Sequence, residues 1–142
     1  MLKKTITYVD YDGNKRTEDH YFNLSKAELT EMEMSENGGF DKFIEQIVKT
    51  ENNKEIYRLF KEIILMSYGE KSYDGKHFIK KKTVDGQTIY LRDQFEQTEA
   101  FSELVMELFS SENAASDFIN QVIPKELSEQ LADKLNAPSE SK

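Results

Sequence analysis

Residues 52–69, NNKEIYRLFKEIILMSYG, decide the fold. Ile56, Leu59, Phe60, Ile63 and Ile64 fall at offsets 0, 3, 4, 7 and 8, which is one apolar stripe on a helix of 3.6 residues per turn. Asn52 suits the N-cap, and Glu55 stands three residues on, as in a capping box. Gly69 can adopt the left-handed conformation that ends a helix. Lys54, Glu55, Arg58, Lys61 and Glu62 are left for the solvent side. The same template recurs at Phe40-Phe43-Ile44-Ile47-Val48, at Phe101-Leu104-Val105-Leu108-Phe109 and at Ala115-Phe118-Ile119-Val122-Ile123. Such stripes must be buried against one another. Their residue identities and spacings differ, so they do not form a solenoid repeat.

Upstream, Thr5 to Tyr11 is rich in Thr, Tyr, Ile and Val, as strands are. Asp12-Gly13-Asn14 supplies turn chemistry, and Lys15 to Asn23 is the returning strand. Two-residue loops at Asp12-Gly13 and at Gly13-Asn14 pair different residues, so the register is open. A lone hairpin is marginal in water and must lie on helices or other strands. Leu24-Ser25-Lys26-Ala27-Glu28-Leu29 is a helix start: Ser25 is the N-cap, Glu28 closes the capping box, and Leu24 with Leu29 forms a hydrophobic staple. That helix runs to about Met34, and Ser35 to Gly39 forms a loop.

Downstream, Asp74-Gly75 and Asp85-Gly86 are turn signals. Residues 77–91 form a second hairpin, either an exposed arm or an extension of the first sheet. Asp93 to Gln97 suits one helical turn. Thr98 caps the next helix, and Ser110 or Ser111 caps the one after. Pro124 breaks the chain, and a narrow stripe of Leu127, Leu131 and Leu135 follows. The expected fold is therefore α+β: an N-terminal β-hairpin, with the second hairpin near 77–91, packed on a mainly α-helical domain of five to six helices. A single domain spans 1–136, with the hairpin at 4–23 and helices at about 25–34, 40–50, 53–68, 98–109, 112–123 and 125–135. Residues 137–142 form a flexible tail.

The chain has 142 residues and a net charge of −8. From Asp93 onward, eleven acids stand against three bases, so that third carries the whole imbalance. Phosphate contacts need Lys and Arg, so nucleic acid and anionic membrane are disfavoured partners. Nine Phe and seven Tyr argue against disorder. No cysteine is present, which excludes disulfides, thiolate catalysis and Cys-based zinc sites. The N-terminus lacks the apolar core of a signal peptide, and no apolar run approaches the roughly 18 residues of a membrane span.

Little in the chain suggests reaction chemistry. His20 and His77 have no H-x-x-x-H partner and suit surface positions on strands. Gly38-Gly39 precedes helix 40–50, but no Lys-Ser/Thr follows at phosphate-loop spacing. No Ser/His/Asp order or isolated acid pair is visible. The chain is thus expected to be no enzyme, with no catalytic, cofactor-binding or metal-binding residue and no cofactor. Lys80-Lys81-Lys82 is the basic run, suited to an acidic partner or to a solvated arm. Glu99, Glu103 and Glu107 form one acidic helix row.

Three stretches taken together carry a resemblance: Lys4 to Tyr8 with Thr17-Glu18-Asp19 and Tyr21 to Glu28; Phe60 to Leu65 with Tyr68 to Ser72, Asp74-Gly75 and Phe78-Ile79-Lys80; and Gln97 to Phe101 with Met106-Glu107-Leu108. This arrangement resembles the tail assembly chaperones of siphovirus-type bacteriophages and prophages across most of residues 3–124. The segment from Lys81 to Glu96 is longer than that family leads one to expect. The resemblance implies a protein that binds and solubilises the tape-measure protein and helps recruit tail-tube subunits during virion morphogenesis. It implies a late protein acting in the host bacterial cytoplasm and absent from the mature virion, in this case the short form where a frameshift also yields a longer one. Self-association is compatible with it. It assigns no client-contact residue, so the partner-binding residues stay unknown. The alternative is a small acidic phage-encoded regulatory or anti-host module that occupies a basic site through its acidic C-terminal third.

Overall fold

A computed structural model describes residues 1–34 and 53–125, together with Gly39, Lys42, Glu45 and Gln46. The expected Asn52 cap, most of helix 40–50, the 125–135 helix and the 137–142 tail lie outside the described residues.

The fold is α+β and begins with an antiparallel hairpin of β1 (Leu2–Val9) and β2 (Lys15–Phe22), in register from Leu2 opposite Phe22 to Val9 opposite Lys15. Alternation puts Leu2, Ile6, Tyr8, His20 and Phe22 on the inner face. The outer face carries cross-strand polar pairs, with Thr5 Oγ1 donating to Asp19 at 2.6 Å and the Thr7 and Thr17 hydroxyls 3.0 Å apart. The turn is neither two-residue loop. Asp10 N–H donates to the Asn14 carbonyl at 2.8 Å, and Gly13 N–H donates to the Asp10 carbonyl at 3.0 Å. A three-residue loop of this kind needs a left-handed third position, and Gly13 supplies it at φ +85°.

Helix α1 (Lys26–Glu33) starts as the capping box requires: Glu28 N–H donates to Ser25 Oγ at 3.1 Å, and Ser25 N–H donates to Glu28 Oε1 at 2.8 Å. Leu24 and Leu29 are both buried beneath that turn. Helix α2 (Asn53–Ser67) buries Leu59, Ile63 and Ile64 and leaves Ile56 and Phe60 half-buried.

α2 does not end on a left-handed Gly69. It passes directly into β3 (Tyr68–Lys71), in which Gly69 is a strand residue opposite Tyr21. The Ser67 carbonyl accepts from Asn23 N–H at 2.7 Å, so the sheet captures the chain at the point where the helix stops. β4 (Phe78–Ile79) pairs with β3 and completes the order β1-β2-β3-β4. The second hairpin is therefore shorter than 77–91. It consists of β5 (Lys81–Val84) and β6 (Gln87–Tyr90) as a separate two-stranded arm, while Phe78 and Ile79 belong to the main sheet.

α3 (Leu91–Phe95) is a single helical turn that begins two residues before the one expected at Asp93 to Gln97, and it buries Leu91 and Phe95. In α4 (Glu99–Phe109), Thr98 Oγ1 accepts from Phe101 N–H at 3.2 Å. In α5 (Glu112–Val122), Ser111 rather than Ser110 is the cap, accepting from Ala114 N–H at 3.2 Å. α5 stops because Ile123, ahead of Pro124, is held extended. Its last carbonyl, that of Val122, accepts from Leu24 N–H at 2.7 Å.

The core lies between the sheet's inner face and α2 to α5. Phe22, fully buried, has its ring centroid 5.6 Å from Tyr68, 5.8 Å from Phe95 and 5.3 Å from Phe118, all edge-on. Tyr68 and Phe95 stack at 4.1 Å. Each such ring pair contributes roughly 0.5–1.5 kcal/mol beyond its buried area. This cluster joins β2, β3, α3 and α5 and so fixes where the arm leaves the body.

Candidate partner-binding groove

Lys80 belongs to no solvated basic run. It lies between β4 and β5, and its ammonium donates to the Asn23 carbonyl at 2.8 Å, to the Met66 carbonyl at 2.9 Å and to Glu28 Oε2. All three of its donors are thus used. They join the end of β2, the first turn of α1 and the last turn of α2. Burial lowers the Lys80 pKa, while the hydrogen bond and charge of Glu28 oppose that shift. Glu28 therefore has two roles, since one carboxylate oxygen caps α1 and the other holds Lys80.

The arm springs from this point. Leu91 N–H donates to the Lys80 carbonyl at 2.9 Å and closes the base of the hairpin. Asp85 and Gly86 both have positive φ, +50° and +77°, as a two-residue type I′ turn demands. Lys82 Nζ reaches Glu70 Oε1 at 3.1 Å and ties the arm to β3. Apart from Ile89, every arm side chain is exposed.

Two recesses flank the Lys80–Glu28 pair and share Lys81 and Tyr90. The one of about 610 Å³ runs over Ser25, Phe78 and Ile79. The one of about 550 Å³ is floored by Leu24, Met32, Leu65 and Met66, with Glu31 and Arg92 at its rim. Together they form a groove between α1 and the arm. Methionine suits a surface that must fit varied apolar side chains, because its unbranched stem has three rotatable bonds. A second exposed apolar spot is the Tyr57–Phe109 ring pair at 5.6 Å, with Met106 nearby in sequence. It lies towards the end of α2 that adjoins the undescribed residues.

The remaining sequence candidates fall elsewhere. His77 is exposed, but His20 is no surface residue: its ring lies 5.3 Å from that of Phe95, and its buried Nε2 has no hydrogen-bond partner. It points inward because it is opposite Lys4 on the same face as Phe22. Of the acidic row on α4, Glu107 pairs with the Lys4 ammonium, while Glu103 is exposed. Among the described residues, no group of three or more His, Asp or Glu side chains could hold a metal ion, and no helix is long and apolar enough to cross a membrane. Sequence reasoning missed the double use of Glu28 and the burial of Lys80. The one available signal was Lys80 directly following the apolar pair Phe78-Ile79.

A family model described as phage tail assembly chaperone matches residues 1–142. Comparison with curated proteins gives no match, and neither does comparison with solved structures.

Proposed function

This chain belongs to the phage tail assembly chaperone family, and we propose that its client is the tape-measure protein, held by an exposed apolar segment in the groove between α1 and the arm. The family implies protein partners in tail assembly and a non-enzymatic role. The observation that carries the finer reading is the recess in which Met32, Leu65 and Met66 are partly exposed beside the Lys80–Glu28 pair. A long helical client exposes apolar ridges before it is enclosed in a tail, and an adaptable apolar groove lowers the cost of that exposure. The net charge of −8 keeps the loaded complex soluble. In this reading the chaperone acts in the host cytoplasm, helps to bring up tail-tube subunits, and leaves before the virion is complete.

The test is coexpression with the tape-measure protein of the same phage. The expected result is a soluble client that co-elutes with the chaperone on size exclusion. A client that stays insoluble at matched expression contradicts the proposal.

A further inference from the structure

We infer that the outer edge of β1 takes up an extended segment of a second protein, a strand with basic residues at alternate positions, and that it does so while the client holds the groove. The strand order β1-β2-β3-β4 leaves β1 at one edge of the sheet, and β4, which lines the groove, at the opposite edge. The two surfaces are therefore separate, and the inference does not rest on the choice of client.

β1 alternates its backbone bonds. Asp10 N–H donates to the Asn14 carbonyl, and this pair continues the register of β1 and β2. Even-numbered residues of β1 thus share the ladder with β2, while the N–H and C=O groups of Lys3, Thr5, Thr7 and Val9 point away from it. These residues are exposed, and among the described residues no strand pairs with their outer side. The register is unbroken over all eight residues of β1, with no proline or bulge to blunt the edge. A row of free donors and acceptors at this spacing is matched by another strand, whereas a helix spends its peptide groups internally.

Charge beside the edge selects the strand. α4 packs against β1, and the Lys4 ammonium, on the inner face, reaches Glu107. The acidic row of α4 therefore runs beside this edge. Glu107 is used by Lys4, but Glu103, one turn earlier, is exposed and makes no ion pair with any described residue. A strand added outside β1 sends alternate side chains to the inner face, towards that row. Basic residues there are attracted by Glu103, and acidic ones are repelled. A second copy of this chain, paired β1 to β1, would bring the acidic row of one α4 towards that of the other, which disfavours it as the occupant.

Three synthetic peptides of about nine residues test this against the full chain by fluorescence anisotropy at low salt. The first alternates Lys with Val and Thr. The second has Glu in place of each Lys, and the third is the basic peptide with its backbone amides N-methylated. The basic peptide is expected to bind at least about tenfold more tightly than either of the others, since one lacks the charge and the other lacks the donors. Its binding is expected to slow amide exchange at Lys3, Thr5, Thr7 and Val9, read by NMR. Thr5→Pro removes an outward N–H and no bond to β2, and is expected to weaken the basic peptide by at least about tenfold. Glu103→Lys is expected to narrow the gap between the basic and acidic peptides with an unchanged thermal melt. Equal binding of the basic and acidic peptides, equal binding of the basic and N-methylated peptides, binding of none, or exchange protection confined to other amides overturns the inference. So does a free chain that sediments as a dimer and becomes a monomer on Thr5→Pro, because the edge then belongs to a second copy. Coexpression with the tape-measure protein reads the groove separately, and its outcome leaves the peptide comparisons as they stand.

Discussion

The ring of Phe78 lies over the Cα of Gly69, so close that a β-carbon there would overlap the ring edge and come within 2.7 Å of the Ile79 carbonyl oxygen. Gly69 is thus required for the contact between β3 and β4, whatever its use as a helix stop. Because the carbonyl belongs to the backbone, it cannot swing aside. Gly69→Ala is expected to destabilise the fold by about 1–3 kcal/mol, as overpacking does. Urea denaturation measures this, and an unchanged midpoint would contradict it.

Lys80 and Lys82 lie two residues apart and should respond differently. Lys80→Met keeps the stem but leaves the Asn23 and Met66 carbonyls and Glu28 without their shared donor. The expected loss is about 1–3 kcal/mol. Lys82→Met removes only an exposed bridge to Glu70, and the expected change is within about 1 kcal/mol. Parallel denaturation of both variants checks the contrast.

His20 gives the fold a pH dependence. Burial against Phe95 and Tyr68 pushes its pKa below the ordinary 6.5, with Glu18 and Asp19 opposing more weakly. The unfolded chain then binds the proton more readily than the folded one. This contribution to stability is complete above pH 6.5 and is lost as pH falls towards the depressed folded value. Asp10, Glu55 and Asp74 also have lowered pKa values, but they titrate below their ordinary carboxylate range and act only in stronger acid. Denaturation midpoints between pH 7.5 and pH 5 should therefore fall in the parent, and His20→Phe should flatten that fall.

The arm should be separable from the fold. Replacing residues 82–89 with Gly-Gly leaves Lys81 and Tyr90 joined by a two-residue turn. Of the removed side chains only Ile89 is half-buried, so stability should change by no more than about 1 kcal/mol. Retention of the tape-measure client should be kept, because Lys81 and Tyr90, the hairpin residues that line both recesses, remain. A sharp loss of retention would put client contact on residues 82–89 and contradict the groove as the binding site.

The helical part of the fold was legible in the sequence because its signals are local. Ser25 with Glu28, and the stripes of α2, α4 and α5, specify caps and buried faces within a few residues. What escaped was set by distant partners. Gly69 carries the same residue type as a helix stop, and only Phe78 across the sheet makes it a strand glycine. His20 looked like a surface residue until the register placed it beside Phe95. Lys80 was counted with its two lysine neighbours, yet its role depends on carbonyls 14 and 57 residues away in the chain. The groove was not legible for the same reason, since α1, the end of α2 and the arm meet only in the folded chain.

Site-specific photo-crosslinking is the most direct test of the claim that the groove between α1 and the arm holds the client. A photoreactive phenylalanine analogue is placed at Tyr90, exposed on the groove's lip, or at Glu103 on the outer face of α4, in cells that also make the tape-measure protein. A tape-measure adduct from position 90 and none from position 103 is the predicted result. An adduct from position 103 alone, with a soluble client, would place the client elsewhere and contradict the account.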